Sequence, residues 1–396
     1  MKAQEIQNII QNISTPAYVF DLDALRQRVG TIQKMLKREN IGLCYAMKAN
    51  PFLVGALSDL ADRFEVCSPG EFRICEREQL PMDKLVISGV NKERQDILRI
   101  VTSYQGQGNF TVESLEQLNL FAECAKETEK ELKILVRISS GNQFGVDFEQ
   151  VKRILETGKE GGYPKLRFQG IQYYSGTQKK LKKVQKELQK LEAWIQELED
   201  LGIEVPELEY GPGFYVPYFQ SEPEEDMEGM MQEFCAYLSE IKFSGRVILE
   251  LGRFLTADCG SFFTTLVDHK ETDGQIYGIV DGGIHHLNYY GQVMAMKLPY
   301  VQHISLGKKI SQNAKEWTIC GSLCTTADVI VRQLPLVGAQ IGDVLVFERT
   351  GAYSMMEGMN LFLSRDLPQV LFWSKEHGIE VVRKAQGTDR FNSCMP

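Results

Sequence analysis

Lys48 stands in Cys44-Tyr45-Ala46-Met47-Lys48-Ala49-Asn50, among small and apolar neighbours. Poor hydration favours the neutral amine, and the neutral amine is the nucleophile that condenses with a carbonyl compound to an imine. A solitary lysine at a strand end more often snorkels to solvent. Its company reverses that order. Gly211-Pro212-Gly213 lets backbone N–H groups approach an anion closely, and Glu250-Leu251-Gly252-Arg253 adds another backbone donor beside a guanidinium. Together they suit a phosphate, although each alone reads as an ordinary turn. Glu250 has a second use, since a carboxylate facing a pyridine nitrogen keeps the ring protonated and electron-poor. Tyr174 offers such a ring a flat face, with plain core packing as the alternative.

These residues need a frame that brings them to one place. Short β-rich runs bounded by Gly, Asn, Asp or Pro recur at 43–49, 64–68, 85–89, 109–113, 134–139, 168–174, 208–213 and 247–252. Helix-period segments lie between them at 54–62, 71–79, 92–101, 114–126, 148–157, 179–201 and 224–241, with one more at 23–38 ahead of the first strand. Eight strands alternating with eight helices predict a closed (β/α)8 TIM barrel, whose chemistry sits at the C-terminal strand ends. Lys48, Ser68, Tyr174, Gly211, Gly213, Glu250 and Arg253 fall at such ends, and Arg137 lies near the end of the fifth strand. The Lys- and Glu-rich stretch 179–201 reads as a solvated outer helix, and the charged patch 222–228 as an exposed helix start.

After Gly252 the beat changes to short strands at 259–269, 275–281, 300–305, 316–320, 329–334, 343–347 and 369–373 with few helices. The expected organisation is a barrel over 23–254 and an all-β domain made of 1–22 plus 255–396, with the extended segment 17–21 joining its sheet. A chain of 396 residues is long enough for two cores. The net charge of −9 argues against nucleic acid and anionic membranes, which call for a basic face. No apolar run suggests a spanning helix and the first residues lack a secretory core, so a cytoplasmic location is expected. The nine cysteines are scattered, the five histidines form no ligand spacing, and no metal is expected. His285 and His286, adjacent in sequence, would point to opposite faces of a strand.

The motifs, taken in order, resemble the fold-type III decarboxylases that use pyridoxal 5'-phosphate (PLP), among them diaminopimelate and ornithine decarboxylases. Tyr45 to Asn50 is similar to their lysine motif, Glu65-Val66-Cys67-Ser68-Pro69-Gly70-Glu71 to their second-strand signature, and Gly211 to Tyr218 to their glycine loop. Glu250-Leu251-Gly252-Arg253 is similar to their Glu-Pro-Gly-Arg segment. Val280-Asp281-Gly282-Gly283, Cys320-Gly321-Ser322-Leu323-Cys324 and Gly351-Ala352-Tyr353 follow in the family's order. The resemblance implies an alanine racemase-like fold of barrel plus β-domain, with Lys48 as the Schiff-base lysine. Glu250 would pair with the pyridine nitrogen, Tyr353 would bind the phosphate, and Cys324 would return the proton. The family supplies that cysteine from the other subunit of a head-to-tail homodimer with shared active sites.

Four departures bear on the substrate. Tyr174 replaces the family's ring-stacking histidine, and Leu251 replaces a proline. Thr325 stands directly after Cys324, where diaminopimelate and ornithine decarboxylases carry a carboxylate for the distal ammonium. The stretch Ile284-His285-His286-Leu287-Asn288 lacks the arginine that holds a distal carboxylate. The His-His pair resembles the branch serving specialised biosynthesis, including a decarboxylase of a glutamyl group on an acyl carrier protein and decarboxylases of siderophore intermediates. Decarboxylation of an amino acid, free or extended by a carrier protein, is the expected function, with Arg137, His286 and Thr325 as candidate substrate contacts. The competing readings are diaminopimelate decarboxylation, an amino-acid racemase, against which Glu250 counts, and a degenerate binding protein, against which Lys48 and the glycine loop count.

Overall fold

Apolar runs closed off by turn residues become strands in the computed structural model, which describes residues 3–224, 226–307 and 313–394. Of the charged patch 222–228, Glu225 lies outside the described residues, as do 1, 2, 308–312, 395 and 396 of the segments assigned to the β-domain. The chain starts with α1 (Ala3–Ile10), β1 (Ala17–Asp21) and α2 (Leu22–Arg38). Parallel strands follow: β2 (Gly42–Ala46), β3 (Arg63–Val66), β4 (Leu85–Ile87), β5 (Asn109–Val112), β6 (Leu132–Ile138), β7 (Leu166–Tyr174), β8 (Glu207–Gly211) and β9 (Arg246–Leu251). They pair in sequence order and β9 returns to β2, so the barrel is closed. Strands covered on both faces read as unbroken apolar runs, and all five residues of β2 are buried. Cys44, Val86, Leu135 and Ile248 form one cluster of that core.

Helices α3 (Pro69–Arg77), α4 (Arg94–Ser103), α5 (Leu115–Thr128), α6 (Phe148–Lys159), α7 (Leu181–Asp200) and α8 (Met227–Glu240) alternate with the strands. Side chains of Ser68, Ser114, Asp147 and Asp226 accept the first amides of α3, α5, α6 and α8. The helix expected at 54–62 is absent: single 3-10 turns at Pro51–Leu53 and Gly55–Leu57 take its place. Pro51 and Gly55, four residues apart, deny a helix its early amide and its backbone economy, while Leu53, Val54 and Leu57 are buried all the same. The solvated reading of 179–201 is corrected at its start, where Lys179 and Glu187 are buried as an ion pair of 2.6 Å. No helix among the described residues is long and apolar enough to cross a membrane.

The remaining strands are β10 (Gly260–Thr272), β11 (Gln275–Val280), β12 (Val301–Ile304), β13 (Ala314–Cys320), β14 (Val329–Val337), β15 (Val344–Glu348), β16 (Gln369–Ser374) and β17 (Gly378–Arg383). They form one sheet in the order β14-β13-β11-β10-β1-β16-β17, with β15 joining β10 to β12. The segment 17–21 does join it, antiparallel to β10 and parallel to β16. The amphipathic α1, unforeseen from sequence, buries Ile6 and Ile9 with Val19, Phe263, Val346 and Leu371. By contacts the chain divides into a barrel unit, 28–215 with 226–254, and a β-rich unit, 1–27 with 216–225 and 255–396. Residues 216–225, inside the span assigned to the barrel from sequence, thus cluster with the strands, where the Gln220 amide donates to the Leu298 carbonyl at 2.9 Å.

Candidate active site

Lys48 rides on one 3-10 turn, Met47–Ala49, that continues β2. The Tyr45 hydroxyl donates to the Asn50 carbonyl at 2.8 Å and pins the end of that turn. Because β3 and β9 flank β2, with Ala46 opposite Glu65 and Cys44 opposite Glu250, two carboxylates face the amine from either side. Lys48 Nζ pairs with Glu65 and lies 3.6 Å from Glu250 Oε1.

Burial and the neighbouring charge of Glu65 push Glu250 up to about 7, against the opposing pull of Lys48. Burial also raises Glu65, but the charge and hydrogen bond of Lys48 outweigh it and leave Glu65 below the usual carboxylate range. The hydrogen bond between the two acids acts in the same sense, raising Glu250 and lowering Glu65. Behind them, Gln172 donates to Glu209 Oε1 at 2.8 Å and to Glu250 Oε2 at 3.3 Å.

The glycine loop lies against the end of β7. A Cβ on Gly213, whose φ is +57°, would stand 1.9 Å from the Gly176 carbonyl oxygen, and one on Gly211 would meet the Tyr174 ring at 2.7 Å. Only glycines allow this approach. The Lys179 amide donates to the Gly213 carbonyl and the Tyr215 amide to the Lys179 carbonyl, at 2.9 and 3.1 Å. The buried Lys179–Glu187 pair, held also by Tyr210 and Ser175, anchors that loop from below. Arg253 follows Gly252 and places its Nε 3.3 Å from Thr177 Oγ1. An amine between carboxylates, a ring, and a glycine collar with a guanidinium make a donor set that fits an aromatic aldehyde bearing a phosphate arm.

Residues 22–257 match the model of the pyridoxal-dependent decarboxylases, pyridoxal binding domain. The chain belongs to that family. Its cofactor is therefore PLP, and it is a carboxy-lyase. It is 24% identical over 97% of its length to the L-glutamyl-[BtrI acyl-carrier protein] decarboxylase of Niallia circulans, 94% of which is covered. It is 23% identical to the 2-[(L-alanin-3-ylcarbamoyl)methyl]-2-hydroxybutanedioate decarboxylase of Staphylococcus aureus, over 93% of this chain and 97% of that one. The fold is that of diaminopimelate decarboxylase from Helicobacter pylori in complex with L-lysine, at a TM-score of 0.85 and 21% identity, covering 97% and 98% of the two chains.

In this decarboxylase Lys48, Tyr174, Gly211, Pro212, Gly213, Glu250, Gly252 and Arg253 all belong to the barrel unit. Arg137, buried on β6, pairs with Glu113 at 3.2 Å and lies over the Phe144 ring, within the electrostatic field of both Glu65 and Glu250. The β-rich unit carries the rest. Cys324 is exposed, and Thr325 beside it uses its hydroxyl to accept the Ala327 amide at 3.3 Å. Tyr353 adopts φ +65°, a left-handed backbone that a tyrosine rarely takes, two residues after Gly351 packs against Thr256 and Gly260. His286 is buried, with Nε2 2.9 Å from the Asp366 carbonyl, a partner within the protein rather than a free face. Nor do the paired histidines straddle a strand: they follow β11 in a turn, with ring centroids 3.7 Å apart.

Sequence reasoning passed over Glu65, Gln172 and Glu209, all buried and grouped around Glu250. A signal existed in part. Glu65 interrupts an apolar strand, and an ionisable residue there needs a partner to stay buried.

Proposed function

We propose that this decarboxylase acts on the α-amino acid end of an extended substrate, such as a glutamyl group tethered to an acyl carrier protein or an amino acid amide-linked to a polycarboxylate. The observation that carries this reading is Thr325, whose hydroxyl is engaged with its own loop and offers no charge to a free distal ammonium. Support comes from a cleft of about 470 Å3 beside it, lined by Thr326, Ala327, Asn288, Arg332 and Glu357, with room for a substituent. Two relatives named above act on amino acids carried in this way, as their names state.

Bound PLP would supply an aldehyde for amines and a ring that takes up the electron pair left on the α-carbon when CO2 departs. Lys48 presents its amine from the 3-10 turn, oriented by the hydrogen bond it donates to Glu65. Glu250, which burial and the charge of Glu65 push up to about 7, would pair with the ring nitrogen of the bound cofactor. Tyr174 would give a face for stacking, while Gly211, Pro212, Gly213, Gly252, Arg253 and Tyr353 would hold the phosphate. Arg137 orients the substrate carboxylate from β6. Cys324, exposed on a single chain, delivers a proton from its thiol to the α-carbon in a homodimer with shared sites.

The test is CO2 release by PLP-loaded protein from L-glutamyl carrier protein thioester, a citryl amide of 2,3-diaminopropionate, and free glutamate, diaminopimelate, lysine and ornithine. A kcat/KM at least about tenfold higher on an extended substrate is expected, which is 1.4 kcal/mol of discrimination. Preference for free diaminopimelate would overturn the reading. Lys48→Ala should abolish the visible absorbance of the bound cofactor and cost about 10² to 10⁴ in kcat.

A further inference from the structure

The loop that carries Cys324 runs from the end of β13 to the start of β14 and closes on Asp328, which is only 2% exposed. Each carboxylate oxygen of Asp328 has a different task. Oδ2 accepts the Leu323 amide at 2.7 Å, next to the thiol residue, and Oδ1 accepts the Ile284 amide at 2.8 Å, from the segment after β11. The Asp328 main chain adds two bonds within the loop, its carbonyl accepting from Gly321 at 3.0 Å and its amide donating to Thr325 at 3.2 Å. The Ser322 amide donates to the Gly282 carbonyl at 2.8 Å, a second stitch between the same two segments.

The glycines of both motifs make room for this carboxylate. A Cβ on Gly321 would stand 2.3 Å from Oδ2, and one on Gly283 would stand 2.7 Å from it. The Asp-Gly-Gly and Cys-Gly-Ser-Leu-Cys motifs are thereby two halves of one clasp. A carboxylate suits it because both oxygens accept, whereas an amide would turn an NH2 towards one of the backbone donors.

We propose that Asp328 is the positioning residue of Cys324, holding the 320–328 loop against the 282–284 segment so that the thiol stands at a fixed place. The proposal rests on the reading of Cys324 as the proton donor. It touches neither substrate nor cofactor and acts through the loop.

The test compares PLP-loaded wild type, Cys324→Ser, Asp328→Asn and the double variant on the fastest substrate of the panel above, with alkylation of Cys324 by iodoacetamide followed in parallel by peptide mass. Asp328→Asn should lower kcat between about 10- and 100-fold with KM and cofactor absorbance unchanged. The double variant should be no slower than Cys324→Ser, because a residue acting through the thiol has nothing left to position. Alkylation of Cys324 should change at least about threefold as the loop loses its place. Losses that multiply in the double variant, or an unchanged alkylation rate, would overturn the proposal. Wild-type kcat in Cys324→Ser would instead sink the proton-donor reading, leaving the alkylation rate to decide whether Asp328 places the loop. Should Asp328→Asn fail to fold, Asp328→Ala removes both acceptors without opposing the two amides and is read in the same way.

Discussion

Glu209 has no exposed surface on β8, lies 3.4 Å from Arg63, and accepts from the same Gln172 amide that reaches Glu250. Burial first, and the charge of Glu250 second, push Glu209 up to about 8. Its unfolded value is about 4.3. Between those limits the native state keeps a proton that the unfolded chain releases, so stability from this group is complete below about pH 4.3 and is lost as pH rises towards 8. Glu209→Gln keeps the shape and the bond from Gln172, and gives up the longer contact to Arg63 together with the ionisation. The unfolding free energy of the variant relative to wild type should climb by up to about 1.4 kcal/mol per pH unit from pH 5 to 8 and level off above. A difference that stays flat across this range in urea titrations would show that Glu209 ionises normally. None of this was legible in the local sequence, because Glu250 and Arg63, whose charges act on Glu209 in opposite directions, lie on other strands far from it in the chain.

Ser68 illustrates what a helix start contributes. It ends the strand expected at 64–68 within the second-strand signature, and its side chain accepts the Glu71 amide at 3.1 Å while Glu71 accepts the Cys67 amide at 2.6 Å, with Pro69 in the first helical position. The motif thus has a structural duty at this point: it turns β3 into α3 beside Lys48's partner Glu65. Ser68→Ala should cost about 1 kcal/mol in denaturant unfolding and leave the cofactor spectrum and affinity as they were. A loss of PLP binding larger than the loss of stability would mean that the hydroxyl serves the cofactor. The eight barrel strands were readable because buried parallel strands concentrate β-branched and aromatic residues between turn residues. The 54–62 segment was misread for the opposite reason. Its apolar spacing is helical, yet Pro51, Gly55 and the Asn50 side chain, which accepts the Phe52 amide at 3.2 Å, fold it into 3-10 turns.

For the whole molecule, cofactor loading is the accessible measure of the site's integrity. PLP at about 100 times its Kd should stabilise the native state by about 2.7 kcal/mol, seen as a rise in Tm over the cofactor-stripped protein, and Lys48→Ala should lose much of that rise. Equal shifts in wild type and variant would mean that the lysine contributes nothing to holding the cofactor. The strand-and-helix beat, the family, and the placing of Lys48, Tyr174, Glu250 and the glycines at strand ends were all determined by the amino-acid sequence, because they depend on periodicity and on contiguous motifs. Only the tertiary structure decided what surrounds the amine. Closing the barrel brings Glu65, Gln172, Glu209 and Glu250 from four strands to one place, and their shared protons depend on burial and on mutual distance, which a linear pattern does not carry. The same holds for the β-rich unit, where two separate glycine motifs acquire a common purpose around Asp328 once the sheet has set them side by side.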